Sequence, residues 1–168
     1  MHADDLTALD MSTPDKKRSA YQELLMQAEA LFAGERDWLA NASQFSALIG
    51  QQLPDLNWAG FYLNKGGELV LGPFQGKVAC VRIPFDKGVC GACARSREIQ
   101  VIEDVHQFPG HIACDGASNA ELVLPVMVNG ELWGVFDIDS PRHGRFDQID
   151  AEGVNRCLDV FIRASDFS

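Results

Sequence analysis

ELVLPVMVNGELWGVFDID, residues 121–139, is the stretch whose reading decides the fold. Asn129-Gly130 sits at its centre, and this dipeptide favours the tight turn that joins two antiparallel strands. Residues 121–128 and 131–139 are therefore predicted to pair as a hairpin. Side chains alternate across a strand. Phe136 and Ile138 then face the core, while Asp137 and Asp139 project together from the opposite side.

Upstream of the hairpin the same period recurs. Residues 57–64 and 68–74 read as strands joined at Lys65-Gly66-Gly67, residues 78–85 as a third strand and 98–103 as a fourth. A short helix is expected over 88–97, and a loop rich in Gly, His and Asp over 104–119. Outside this region the period is helical. Thr13-Pro14-Asp15 supplies a cap, a first-turn proline and an early acid. Tyr21, Leu24, Leu25, Ala28, Leu31 and Phe32 then follow at helical spacing until Gly34. Trp38, Ala42, Phe45 and Ile49 mark a second helix that stops before Pro54. Ile149, Val154, Leu158 and Phe161 mark a closing helix over 147–163. The expectation is an α+β fold: a mainly antiparallel six-stranded sheet flanked by helices, with no repeat and no dividing linker.

The chain has 168 residues, with 14 Lys and Arg against 24 Asp and Glu, a formal charge of −10. A negative field repels phosphate backbones, and no basic stripe offsets it, so nucleic acid is not an expected partner. No apolar run approaches the roughly 20 residues of a membrane helix. The acidic, polar residues 1–10 resemble neither a signal nor a transit peptide, so the expected location is the cytoplasm and no membrane partner is expected.

Five cysteines carry the chemical information. Cys157 falls among the apolar positions of the closing helix and reads as a small buried hydrophobe. Cys80, Cys90, Cys93 and Cys114 cluster in the loop-rich stretch, where chemistry is more common than packing. Cys90-Gly91-Ala92-Cys93 is a C-x-x-C, and a helix starting near Val89 would favour a thiolate at Cys90 through its N-terminal amides. A thioredoxin-like site, however, needs that motif after the first strand of a βαβ unit. Zinc could draw on four thiolates, but structural zinc usually takes two close pairs and this set has one. His111 and His106 could pair with Cys114 as a nucleophile, although no oxyanion-hole motif accompanies them.

The acids and aromatics narrow the choice. Two carboxylates side by side repel when ionised, so one of Asp137 and Asp139 retains or delivers a proton more readily. Glu121 opens the neighbouring strand and completes a trio suited to a cationic group, a proton transfer, or both. Trp58, Gly60 and Tyr62 share one face of their strand, and the glycine is expected to leave an apolar slot between two rings. An ordinary core strand would read the same way.

In these segments the chain closely resembles the free methionine-(R)-sulfoxide reductases, a family built on a single GAF domain. The resemblance runs over residues 34–163. It rests on Asn57-Trp58-Ala59-Gly60-Phe61-Tyr62, Gly72-Pro73-Phe74-Gln75-Gly76, Cys80 with Ile83-Pro84, Gly88-Val89-Cys90-Gly91, Gly110-His111-Ile112-Ala113-Cys114-Asp115 and Asp137-Ile138-Asp139-Ser140, in that order. With the first helix included, the expected division is a tail over 1–13 and a GAF domain over 14–168. The resemblance implies that Cys114 is the catalytic cysteine, Cys80 its disulfide partner and Cys90 a further active-site thiol. Glu121, Asp137 and Asp139 match the carboxylates at the substrate amine and sulfoxide, and Trp58 and Tyr62 match the wall around the substrate methyl. The implied reaction reduces the free amino-acid sulfoxide, with thioredoxin as reductant and with no cofactor or metal; a homodimer is compatible with it. Cys93 and Cys157 have no role in the resemblance, and Cys93 reads as a filler of a small buried site. A ligand-sensing GAF module without chemistry is the alternative, though it gives the cysteine set no purpose.

Overall fold

The Thr13 hydroxyl accepts a 3.2 Å hydrogen bond from the Lys16 amide and so starts helix α1 (Pro14–Phe32). The computed structural model describes residues 7–112 and 116–168. Within them α2 (Trp38–Gln52) follows, its N-terminus capped by the Asp37 carboxylate on the Ala40 amide at 2.8 Å. Next come β1 (Trp58–Asn64), β2 (Glu68–Gly76), β3 (Arg82–Pro84), α3 (Gly88–Ser96), β4 (Gln100–Ile102), β5 (Ala120–Val128), β6 (Glu131–Ser140) and α4 (Gln148–Ala164). A single 3-10 turn, Val105–Gln107, interrupts the loop before β5. The hairpin of β5 and β6 forms as expected: Asn129 and Gly130 both take positive φ, 52° and 79°, as the tight turn requires.

The described strands form one six-stranded sheet in the order β3-β2-β1-β6-β5-β4, and every pairing is antiparallel. Helices α1, α2 and α4 cover one face. There Phe45, Phe61, Phe136 and Phe161 are fully buried, with the Phe45 and Phe136 rings 4.7 Å apart and edge-on. Each such side chain contributes about 1.5–3 kcal/mol by leaving water. Cys157 is buried in this core as a free thiol, the packing role expected of it. The other face carries α3, which packs on β5 and β6.

A buried charge cluster ties α1 to α4. Asp150 accepts from Lys17 at 2.9 Å, from Arg145 at 3.2 Å and from the Tyr21 hydroxyl at 2.6 Å. Asp150 also closes a capping box with Asp147 at the start of α4.

The third strand departs from the sequence expectation. Only Arg82–Pro84 keep the strand register with β2, the Val81 carbonyl still accepts from the Leu71 amide at 2.9 Å, and residues 77–80 leave the sheet. Two side chains of β1 account for it. The Trp58 indole donates to the Lys77 carbonyl at 3.2 Å, and the Tyr62 hydroxyl donates to the Cys80 carbonyl at 2.9 Å. These bonds satisfy backbone groups that a longer strand would have paired. The released segment carries Cys80, with Val78 and Val81 exposed on either side. Among the described residues, no helix is long and apolar enough to cross a membrane.

Candidate active site

The face of the sheet beneath α3 is where the sequence-derived residues meet. Across β1 and β6, Gly60 lies opposite Asp137 and Trp58 opposite Asp139; across β5 and β6, Glu121 lies opposite Asp139. Directly opposed residues of antiparallel strands point to the same side. The register therefore gathers Trp58, Tyr62, Glu121, Asp137 and Asp139 on one surface, away from the phenylalanine core. Together with Cys90 of α3 they line one cavity. Val78, Ala79 and Ile83 form its wall on the side of the Cys80 segment, and His111, Ile112 and Ser118 the wall on the side of the long loop.

The aromatic wall differs from expectation in one respect. Trp58 and Tyr62 stack on each other, with ring centroids 5.7 Å apart and planes 24° from parallel, so no slot opens between them. Phe74 stacks on the far side of Trp58 at 5.3 Å. Gly60 makes this layering possible: a Cβ there would collide with the Phe74 Cβ and come within 2.9 Å of the Trp58 ring. The glycine thus brings the rings together, and the ligand space lies beside the stack rather than inside it.

The polar end is unusually dry. Glu121 and Asp137 are only 7% and 5% exposed, and Cys90 is 4% exposed. The Cys90 thiol donates to Oε1 of Glu121 at 3.8 Å. Burial pushes the Asp137 carboxyl well above the usual carboxylate range, and the charges of Asp139 and Glu121 push it further. Burial raises Glu121 as well. The hydrogen bond between these two raises Asp137 and lowers Glu121, which makes Asp137 the holder of the proton. One oxygen of Asp137, Oδ1, is buried without a hydrogen-bond partner within the described residues. A buried orphan oxygen costs about 1–3 kcal/mol, so it is a standing acceptor or donor for whatever enters.

Cys90 corrects another expectation. It does sit in the first turn of a helix, yet its thiol is pushed well above the usual range, first by burial and then by Asp137, Glu121 and Asp139. Desolvation and three nearby carboxylates outweigh the fractional charge of a helix end. Cys90 is therefore a protonated thiol here, not a ready nucleophile. Cys93 is buried and free, and burial raises its thiol to about 12, so the C-x-x-C pair is not joined. Cys80 is disulfide-bonded. Cys114, the expected nucleophile, lies outside the described residues. His111 lines the cavity mouth, and burial together with His106 lowers its pKa, which favours the neutral ring.

Some lining residues were not foreseen from the sequence. Val78 and Ala79 come from a stretch that alternates like a strand, and Ser118 stands near the end of the long loop. Ser118 accepts from the Asn57 side-chain amide at 3.0 Å, which ties the loop end to the start of β1. An Asn flanking an aromatic strand gives no hint of that contact.

This arrangement is matched by known proteins. The model of the GAF domain family matches residues 35–160. The free methionine-R-sulfoxide reductase of Escherichia coli is 52% identical over 142 residues, covering 84% of this chain and 86% of that protein. The chain belongs to the free methionine-R-sulfoxide reductase family. The yeast (Saccharomyces cerevisiae) protein of the same name is 43% identical over 163 residues, with 92% and 89% coverage. Among solved structures, the free methionine-R-sulfoxide reductase from Neisseria meningitidis in complex with its substrate is 38% identical, with a TM-score of 0.84 and 95% of each chain covered. The matched span of the GAF domain model runs from just before α2 into α4, so it contains every described lining residue of the cavity. For this member of the free methionine-R-sulfoxide reductase family, the GAF sheet is the platform on which three strands present acids and aromatics to one another.

Proposed function

We propose that the protein reduces free L-methionine (R)-S-oxide to L-methionine by cysteine sulfenic acid and disulfide chemistry, and that thioredoxin restores it. The observation that carries this reading is the cavity itself: a stacked aromatic wall, a buried acid pair and a disulfide-bonded cysteine segment around one small space. The names of the Escherichia coli and yeast relatives support the reduction of free methionine-R-sulfoxide within this reading.

In the proposed cycle the Cys114 thiolate attacks the sulfoxide sulfur. The sulfur–oxygen bond can break only as its oxygen gains a proton, and the Asp137–Glu121 pair is the donor at hand. The attack forms a sulfur–sulfur bond as the protonated oxygen departs as water; a water then attacks the Cys114 sulfur and breaks that bond, which leaves Cys114 as a sulfenic acid and releases the thioether, methionine. The Cys80 thiolate then displaces water from the sulfenic sulfur and forms a disulfide. A dithiol such as thioredoxin reopens that bond by exchange and is itself oxidised. The overall change is one sulfoxide and two thiol hydrogens converted to one thioether and one water. The bonded state of Cys80, against free thiols at Cys90, Cys93 and Cys157, supports Cys80 as the resolving partner.

Trp58 and Tyr62 are proposed to hold the apolar methyl and side-chain methylenes. Glu121, Asp137 and Asp139 are proposed to receive the ammonium group and to supply the proton. Cys90, a neutral thiol hydrogen-bonded to Glu121, is proposed to hold that carboxyl in place and not to attack. An amide, as in a peptide-bound residue, offers no cationic charge to the acids, so the free amino acid is selected. We place the working domain at residues 14–168, because α1 is joined to α4 by the buried Lys17–Asp150 pair. Three free, buried thiols suit a reducing cytoplasm. The reading is tested by supplying free methionine-(R)-sulfoxide with a thioredoxin system and measuring methionine.

A further inference from the structure

The cavity floor also has the composition of a cation site. Cys90, Glu121 and Asp137 each offer a ligand atom, and the three atoms lie within 4.8 Å of one another. They come from three elements, α3, β5 and β6, so the cluster is set by tertiary packing. Its residues are all at least nine-tenths buried, and Asp137 adds an oxygen with no hydrogen-bond partner among the described residues. The sulfur of Cys90 and Oε1 of Glu121 are 3.8 Å apart. Tetrahedral zinc with one thiolate and one carboxylate ligand needs about 3.6 Å between those two atoms. Closing the set onto an ion therefore takes movements of side-chain size.

From this geometry we infer that Cys90, Glu121 and Asp137 bind a thiophilic divalent cation of the zinc and cadmium class, with a fourth coordination position open to the cavity. One thiolate and two carboxylates give a formal charge of −3, which a divalent ion offsets in a site with little water. The soft sulfur selects zinc or cadmium over magnesium or calcium, which prefer all-oxygen sets. The other free thiols do not compete at this place: Cys93 is buried outside the cavity lining and Cys157 lies in the opposite core. Occupation would take the three groups from the amine and the proton transfer, so the ion would inhibit reduction. That consequence rests on the proposed function, whereas binding does not.

The test uses the disulfide form of the full chain, in which Cys90, Cys93 and Cys157 are the free thiols among the described residues. Cadmium is titrated with ultraviolet detection of thiolate-to-cadmium charge transfer, and zinc by calorimetry. The inference expects one equivalent bound with a charge-transfer band, loss of that band in Cys90→Ser, and its retention in Cys93→Ser. Glu121→Gln should weaken binding by more than about tenfold, the cost of losing even an outer partner of a metal ligand. Absence of the band, an unchanged band in Cys90→Ser, or unchanged affinity in Glu121→Gln would overturn the site. If the band behaves as expected but zinc leaves turnover unaffected, the metal site stands and the proposed role of the acids in reduction fails.

Discussion

The Tyr62 hydroxyl donates a 2.9 Å hydrogen bond to the carbonyl of Cys80, so a ring of the cavity wall holds the backbone of the disulfide-bonded cysteine. The bond couples the shape of the ligand space to the position of the Cys80 sulfur. It also explains why residues 77–80 run outside the sheet. Tyr62→Phe keeps the stacked ring and removes only the donor. We expect a loss of about 0.5–1.5 kcal/mol in stability and slower disulfide formation after substrate is added. Denaturant unfolding and timed thiol trapping measure the two effects separately.

Asp137→Asn removes the carboxyl that holds the proton of the buried pair. If it supplies the proton to the departing oxygen, kcat falls by about 10²–10⁴-fold. In the parent protein, activity should decline as pH rises through the elevated pKa of Asp137, because the donor form is lost. A pH–rate profile of single-turnover methionine formation checks both points, and unchanged kinetics would remove Asp137 from the chemistry.

The same carboxyl gives a stability prediction of definite sign. Its pKa is raised on folding, so between the ordinary carboxylate range and the raised value the folded chain binds more protons than the unfolded chain. Stability must then fall as pH rises through that window. Asp137→Asn should flatten this dependence, as urea midpoints collected across the window would reveal.

Cys80→Ser should still complete one round of methionine formation but recycle poorly, whereas Cys114→Ser should form none. Methionine released per enzyme, with and without reductant, distinguishes the two. Normal multiple turnover in Cys80→Ser would transfer the resolving role to Cys90 or Cys93.

Far from the cavity, Asp150→Ala leaves Arg145 and Lys17 buried without their shared carboxylate. Stability should drop by about 3–5 kcal/mol, the usual cost of orphaning a buried charge. Thermal and denaturant unfolding measure it. Undiminished stability would show that apolar packing and the Lys17–Asp147 pair suffice to hold α1 to α4.

Much of this was legible in the sequence because it depends on strand alternation. Asp137 and Asp139 share a face by periodicity alone, and the Asn129-Gly130 turn pairs them with the strand that carries Glu121. The helix caps at Thr13 and the burial of Cys157 follow from local patterns in the same way. What the sequence hid depends on contacts between distant segments. Residues 78–85 alternate like a strand, but hydrogen bonds from Trp58 and Tyr62 draw the first part away. Gly60 looked like an opening, yet Phe74 arrives from β2 to fill it. Cys90 looked activated by its helix, yet the depth of its burial against three acids comes only from packing α3 on β5 and β6.

The central claim is best tested by one assay: separate R and S diastereomers of free and N-acetylated methionine sulfoxide, each incubated with the protein, thioredoxin, thioredoxin reductase and NADPH. The account predicts methionine from the free R form alone, with matching NADPH consumption. Comparable reduction of the N-acetylated or S forms, or no reduction of the free R form under thiol-reducing conditions, would contradict it.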